Sequence, residues 1–275
     1  KIFEAVAVPA LKAQLVALKA KKQLPVLPEQ CRQDPRTSTV SFARTLWWAA
    51  DILGIEPPVL YARTDVPGGI VAAPAQPLAS IAGRDVLTRL GALDRAYVAG
   101  RHLAGYRAEH YVKAVFPTIT ELTVVFFAAI RLVRPELPAP REYAREVQLT
   151  TPLLAKHLTP PAREYLKLVV DAFVHAGARA NIKRWAQAVD ATAARTGFLL
   201  CGDLEVAWSM IAVEPRIVGD LRPEQRIREL LAYSVSEHYL ELRRTLGILV
   251  SDAADVSVPD CRPPRPLAES MTITM

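Results

Sequence analysis

Apolar residues recur at helical spacing along most of the chain. Between residues 2 and 22, Phe3, Val6, Ala10, Leu11, Leu15 and Leu18 fall on one face, with Lys12, Lys19, Lys21 and Lys22 toward the far end, where they suit the helix dipole. Pro9 interrupts this pattern and is expected to start the main helix at its first turn. Residues 24–37 contain Pro25, Pro28 and Pro35 and read as a loop. Thr37 or Ser38 is expected to cap the next helix, which runs through Phe42, Leu46, Trp47, Ala50 and Leu53 and is closed by Gly54.

The spacing then changes to short apolar runs: 57–62, 70–73 and 78–82, with a turn at 65–69. A small sheet or a pair of hairpins near residues 58–82 follows. Helical periodicity returns at about 84–90, 94–107, 119–134, 140–155, 160–177, 179–200, 203–213, 223–234 and 236–249. Thr159 before Pro160 and Pro161 has the form of a cap with prolines in the first turn, and Asp203 and Ser236 stand at further helix starts. The fold class is therefore mainly α, an α+β chain with one small β element.

The stretch 94–110 has a distinctive profile. Ala96, Ala99, Gly100, Ala104 and Gly105 give its helix a slim flank, while Leu93, Tyr97, Val98 and Leu103 supply bulk. Such a helix lets a neighbouring backbone come close. The expected organisation is an N-terminal helix and loop over 1–37, acting as a joint to preceding repeats; a main domain over 38–214; a C-terminal helical addition over 215–249; and a proline-rich tail over 250–275. No internal repeat is visible.

Composition narrows the possibilities. A chain of 275 residues with 51% hydrophobic and 23% charged residues has enough apolar material to bury a core, which excludes a disordered chain. The net charge of +6 comes from basic residues interspersed with nearly as many acids, and no basic run with interleaved aromatics marks a nucleic-acid surface. The three cysteines, Cys31, Cys201 and Cys261, have neither zinc nor disulfide spacing and fit a reducing compartment, so the expected location is the cytoplasm. The most apolar run, 122–133, is too short to span a bilayer.

The order of pieces resembles the gluzincin branch of zinc metalloproteases. The matching residues are Ile52-Leu53-Gly54-Ile55-Glu56-Pro57-Pro58-Val59-Leu60-Tyr61, then 85–90, then 97–105, and finally 185–200. In the last of these, Ala193-Ala194-Arg195-Thr196-Gly197 is similar to that family's Ala-Asp-Arg-x-Gly stretch. The likeness covers roughly residues 40–212 and implies a zincin-like architecture. The chain also resembles domains at the C-terminal ends of large bacterial tetratricopeptide-repeat proteins.

In that family, two histidines one helical turn apart hold zinc and the glutamate after the first acts as base. Here the motif is lost: Arg101 stands at the first histidine, His102 at the glutamate and Gly105 at the second histidine. In the late helix, Asp190 stands at the glutamate of the family's Glu-x-x-x-Asp pair and Ala194 at its aspartate. The resemblance thus implies a pseudoenzyme: no catalytic residues, no metal, no cofactor. Because a guanidinium repels a divalent ion, Arg101 is expected to replace it by pairing with an acid, Asp190 first and otherwise Asp203 or Glu205.

The expected role is that of a scaffold or protein-interaction module in a larger bacterial protein, with a protein partner and preceding helical repeats, and with no nucleic acid and no membrane span. Two alternatives stay open. One is a metal-dependent hydrolase with an unorthodox site around His102; the other is an anion- or peptide-binding domain that uses the vacated cleft through Arg101, His102, Arg107, Glu109 and His110. His102 and His110 lie eight residues apart, about 12 Å along a helix, too far to share an ion easily. Cys201 reads as a buried structural thiol.

Overall fold

A computed structural model describes residues 1–215 and 219–248. The expected tail at 250–275 lies outside the described residues.

The first helix, α1 (Ile2–Ala20), runs unbroken through Pro9, so the proline does not restart it. Proline removes one intrahelical bond, but most residues from Ile2 to Leu11, Pro9 included, are buried. Packing against four later helices supplies more than the local signal removes. In α2 (Ser41–Leu53), the left-handed Gly54 at φ 60° ends the helix as expected. Neither Thr37 nor Ser38 caps it. The Ser38 hydroxyl instead donates to Gln33 Oε1 at 2.8 Å and accepts from the Val40 amide at 3.2 Å. That local turn delays the helix to Ser41.

Three strands follow, β1 (Val59–Arg63), β2 (Ile70–Ala73) and β3 (Ala79–Gly83). They form one sheet in the order β1-β3-β2, with β1 parallel and β2 antiparallel to β3. One hairpin is present, the antiparallel β2–β3 pair, but not two: β1 joins the other side of β3 in parallel, so β3 lies between the first two strands.

The remaining helices are α3 (Arg84–Thr88), α4 (Ala92–Ala104), α5 (Ala108–Val115), α6 (Ile119–Val133), α7 (Ala144–Ala155), α8 (Pro160–His175), α9 (Ile182–Cys201), α10 (Leu204–Val213), α11 (Pro223–Ser234) and α12 (Glu237–Thr245). The fold is mainly α with a small β element. Helix α5 is the one that periodicity passed over. It is only eight residues long and has no side-chain cap, and it is held by burying Tyr111, Val112 and Val115, largely against α1.

The two larger of the three apolar clusters among the described residues flank a seam. One gathers α2, the sheet, most of α4, the C-terminal half of α9 and helices α10 to α12. The other gathers α1, α6, α7, α8 and the N-terminal end of α9, where Ala186 is buried and Trp185 packs on Phe3. Helix α9 belongs to both, which makes its pairing with α4 the axis of the molecule. The slim flank of α4 is used at that pairing: a Cβ on Gly100 would meet Thr196 O at 2.8 Å, and one on Gly197 would meet Tyr97 O at 2.7 Å. Two backbones therefore touch where side chains are absent.

Candidate functional site

The last turn of α4 and the middle of α9 carry the charges that the sequence singled out. Arg101 Nη2 donates to Asp190 Oδ1 at 2.8 Å, and Nη1 reaches the Asp190 backbone oxygen at 3.3 Å. The first-choice acid is the one found. Neither alternative is used: Asp203 caps α10 by accepting from the amides of Glu205 and Val206 at 2.8 and 3.0 Å.

Two further charges complete the cluster, and both were missed. Glu214, just past α10, accepts from Arg101 Nε at 2.5 Å and from Arg226 Nη1 at 2.6 Å. Arg226 on α11 donates through Nε and Nη2 to Asp190 Oδ2 at 3.1 and 3.0 Å, and the Leu221 amide adds a bond to the same oxygen at 3.3 Å. Two guanidiniums thus face two carboxylates, joining α4, α9, the end of α10 and α11. Close by, Lys113 on α5 pairs with Asp220 at 2.7 Å.

No periodic or spacing signal could have found Glu214 or Arg226. Arg226 lies in a charged segment among neighbours of the same type and Glu214 follows an apolar helix, and they meet Arg101 and Asp190 only because the chain turns α11 back onto α9.

The electrostatics follow from this crowding. Burial pushes the Asp190 carboxyl up, but Arg101 and Arg226 more than offset it and leave it below its ordinary value. At Glu214 burial prevails, and the carboxyl ends above its ordinary value although the same two arginines pull it down. The difference matches the donor count: Asp190 accepts four side-chain or backbone N–H contacts on its carboxylate, and Glu214 two. Burial lowers the Arg101 guanidinium and the two acids raise it above its ordinary value. Beside the cluster, the Tyr97 hydroxyl is buried without a hydrogen-bond partner, and burial raises its pKa.

The opposite flank of α4 carries a second polar group. His102 Nε2 lies 2.8 Å from Ser80 Oγ, which lies 2.7 Å from the Tyr106 hydroxyl. Tyr106 donates to the Ala79 backbone oxygen at 2.7 Å. Its single proton is then used, so Ser80 donates to Tyr106, and His102 donates to Ser80 through Nε2–H. A serine beside a histidine is the arrangement of an activated nucleophile. Here the proton directions are the reverse of activation, and Ser80 is completely buried. His102 is half-buried, and burial pushes its pKa down to about 3. The group ties β3 to α4.

The five residues expected to share a vacated cleft go to separate partners. Arg101 is in the ion cluster and His102 in the serine network; Arg107 pairs with Glu109 at the surface at 2.9 Å; and His110 Nδ1 donates to Ala104 O at 2.9 Å, satisfying the end of α4. Gly105 is the C-cap of α4 and Ala194 is buried in the apolar core. Of the five degenerate-motif positions, only Arg101 and Asp190 touch through their side chains.

Among the described residues, no three His, Cys, Asp or Glu side chains come close enough together to hold an ion. The places that the zincin resemblance assigns to zinc therefore do not fit the metal: one carries a guanidinium, one has no side chain, and the carboxylate of the third is committed to two arginines. The Cys201 thiol is buried, has the carbonyl oxygens of Phe198 and Asp203 as acceptors for its one proton at 3.7 and 3.4 Å, and is pushed up to about 12 by burial, as expected of a structural thiol. A cleft of about 480 Å³ opens between α10 and α11, with Ile211, Glu214, Asp220, Arg222, Glu224 and Arg228 among its walls.

Compared with known proteins, the chain matches no family model, no curated protein and no solved structure. No helix among the described residues is long and apolar enough to cross a membrane.

Proposed function

We propose that this chain is a non-catalytic, degenerate zincin-like domain that serves as a scaffold or protein-interaction module of a larger protein. The observation that carries the reading is the Arg101–Asp190 bond, completed by Glu214 and Arg226. It joins the central and late helices with organic charges at the position where a metalloprotease would join them with an ion. A divalent cation entering there would meet two guanidiniums and would have to displace both from Asp190. The hydrolase alternative around His102 gains nothing from its neighbour, since Ser80 is sealed and His102 donates to it.

The surface supports a docking role in general terms. Trp208, Val213, Leu231, Val235 and Leu240 expose apolar area on α10 to α12 and at the turn between α11 and α12. We place the protein in the cytoplasm, a location that the free thiols of Cys31 and Cys201 fit.

The test is metal content by plasma mass spectrometry on protein purified without an affinity-metal step, with melting curves before and after chelation. Less than about a tenth of an equivalent of zinc and an unchanged melting temperature are expected, because structural zinc binds tightly enough to survive purification. One equivalent of metal, lost on chelation together with stability, would overturn the proposal.

A further inference from the structure

No further inference is drawn: the strongest candidate, the cleft between α10 and α11, has Glu214, Arg226 and Asp220 already committed to the ion pairs described above, and its remaining rim of Arg222, Glu224 and Arg228 is of mixed sign at a helix N-terminus, with no second observation that points to a ligand.

Discussion

The two ends of the α4–α9 contact solve the same problem by opposite means. At Gly100 and Gly197 the helices are joined by the absence of side chains, with backbone atoms in van der Waals reach. At Arg101 and Asp190 they are joined by charged side chains whose remaining donors and acceptors are taken up by Glu214 and Arg226. The first end depends on local shape alone. The second depends on four residues from separate parts of the chain arriving together. From the sequence, each end is legible on one side: the slim flank of α4 at the first, and Arg101 with Asp190 but without Glu214 and Arg226 at the second.

The largest expected effect comes from breaking the charged end one-sidedly. Asp190→Ala leaves Arg101 and Arg226 buried with only Glu214 between them. It is expected to cost roughly 3 to 5 kcal/mol in urea unfolding, the usual penalty for orphaning a buried charge. The combined replacement of Arg101, Asp190, Glu214 and Arg226 by Met, Leu, Leu and Met tests the same end from the other side. Removing all four charges into apolar groups of similar size is expected to cost less than Asp190→Ala alone. A quadruple variant less stable than the single one would mean that the cluster contributes net stability beyond its mutual neutralisation.

Gly197→Ala attacks the apolar end. The new methyl would fall 2.7 Å from Tyr97 O and 3.0 Å from the Tyr97 ring, so the helices must separate. The expected loss is about 1 to 3 kcal/mol, typical of overpacking, read as a lower urea midpoint. A neutral outcome would show that the crossing is loose, and the contrast between the two ends would disappear.

The pH dependence discriminates between the two flanks of α4. His102 has a folded pKa lowered to about 3 against an ordinary value of 6.5. Between those values the unfolded chain takes up a proton that the folded one refuses, so stability should fall as pH drops from about 6.5 toward 3. Asp190 is also lowered in the folded state; its contribution is present at neutral pH and is lost only below the ordinary aspartate range. Melting curves at pH 7 and pH 5 should therefore differ through His102 and not through Asp190. His102→Gln, which keeps an N–H for Ser80, should flatten that interval. An unchanged slope would show that the His102 ring titrates normally.

The smallest effect is expected from Arg107→Ala. Its pair with Glu109 is solvent-exposed, with 58% of the arginine side chain accessible. Such pairs contribute roughly 0 to 1 kcal/mol, so the melting curve should barely move. A large loss would show that this surface pair holds the α4–α5 turn in place.

The helices and their punctuation were largely legible. Gly54 closes α2, Thr159, Asp203 and Ser236 cap α8, α10 and α12 through their side chains, and the three short apolar runs became strands close to their expected limits. These features are set by neighbours a few residues away, which the sequence displays directly. Apart from the α2 cap, lost to a local turn at Ser38, the reading failed where distant residues were responsible. Pro9 sits inside a helix because four other helices bury it, α5 exists because α1 covers it, and β3 lies between β1 and β2 because strand order is not a local property.

By itself, the sequence determined that this chain is mainly helical, that α4 has a flank slim enough for another backbone to approach, and that a motif fit for zinc is missing from it. Periodicity, the lack of a Cβ and side-chain chemistry are properties of individual residues, so they can be read one at a time. Only the tertiary structure decided that Arg101 shares its acids with Arg226, that Glu214 completes the cluster, and that Ser80 and Tyr106 hold His102 in one tautomer. A buried charge must be neutralised by whatever the fold brings within about 3 Å. That choice is made by how helices turn back on one another, across separations that no local pattern encodes.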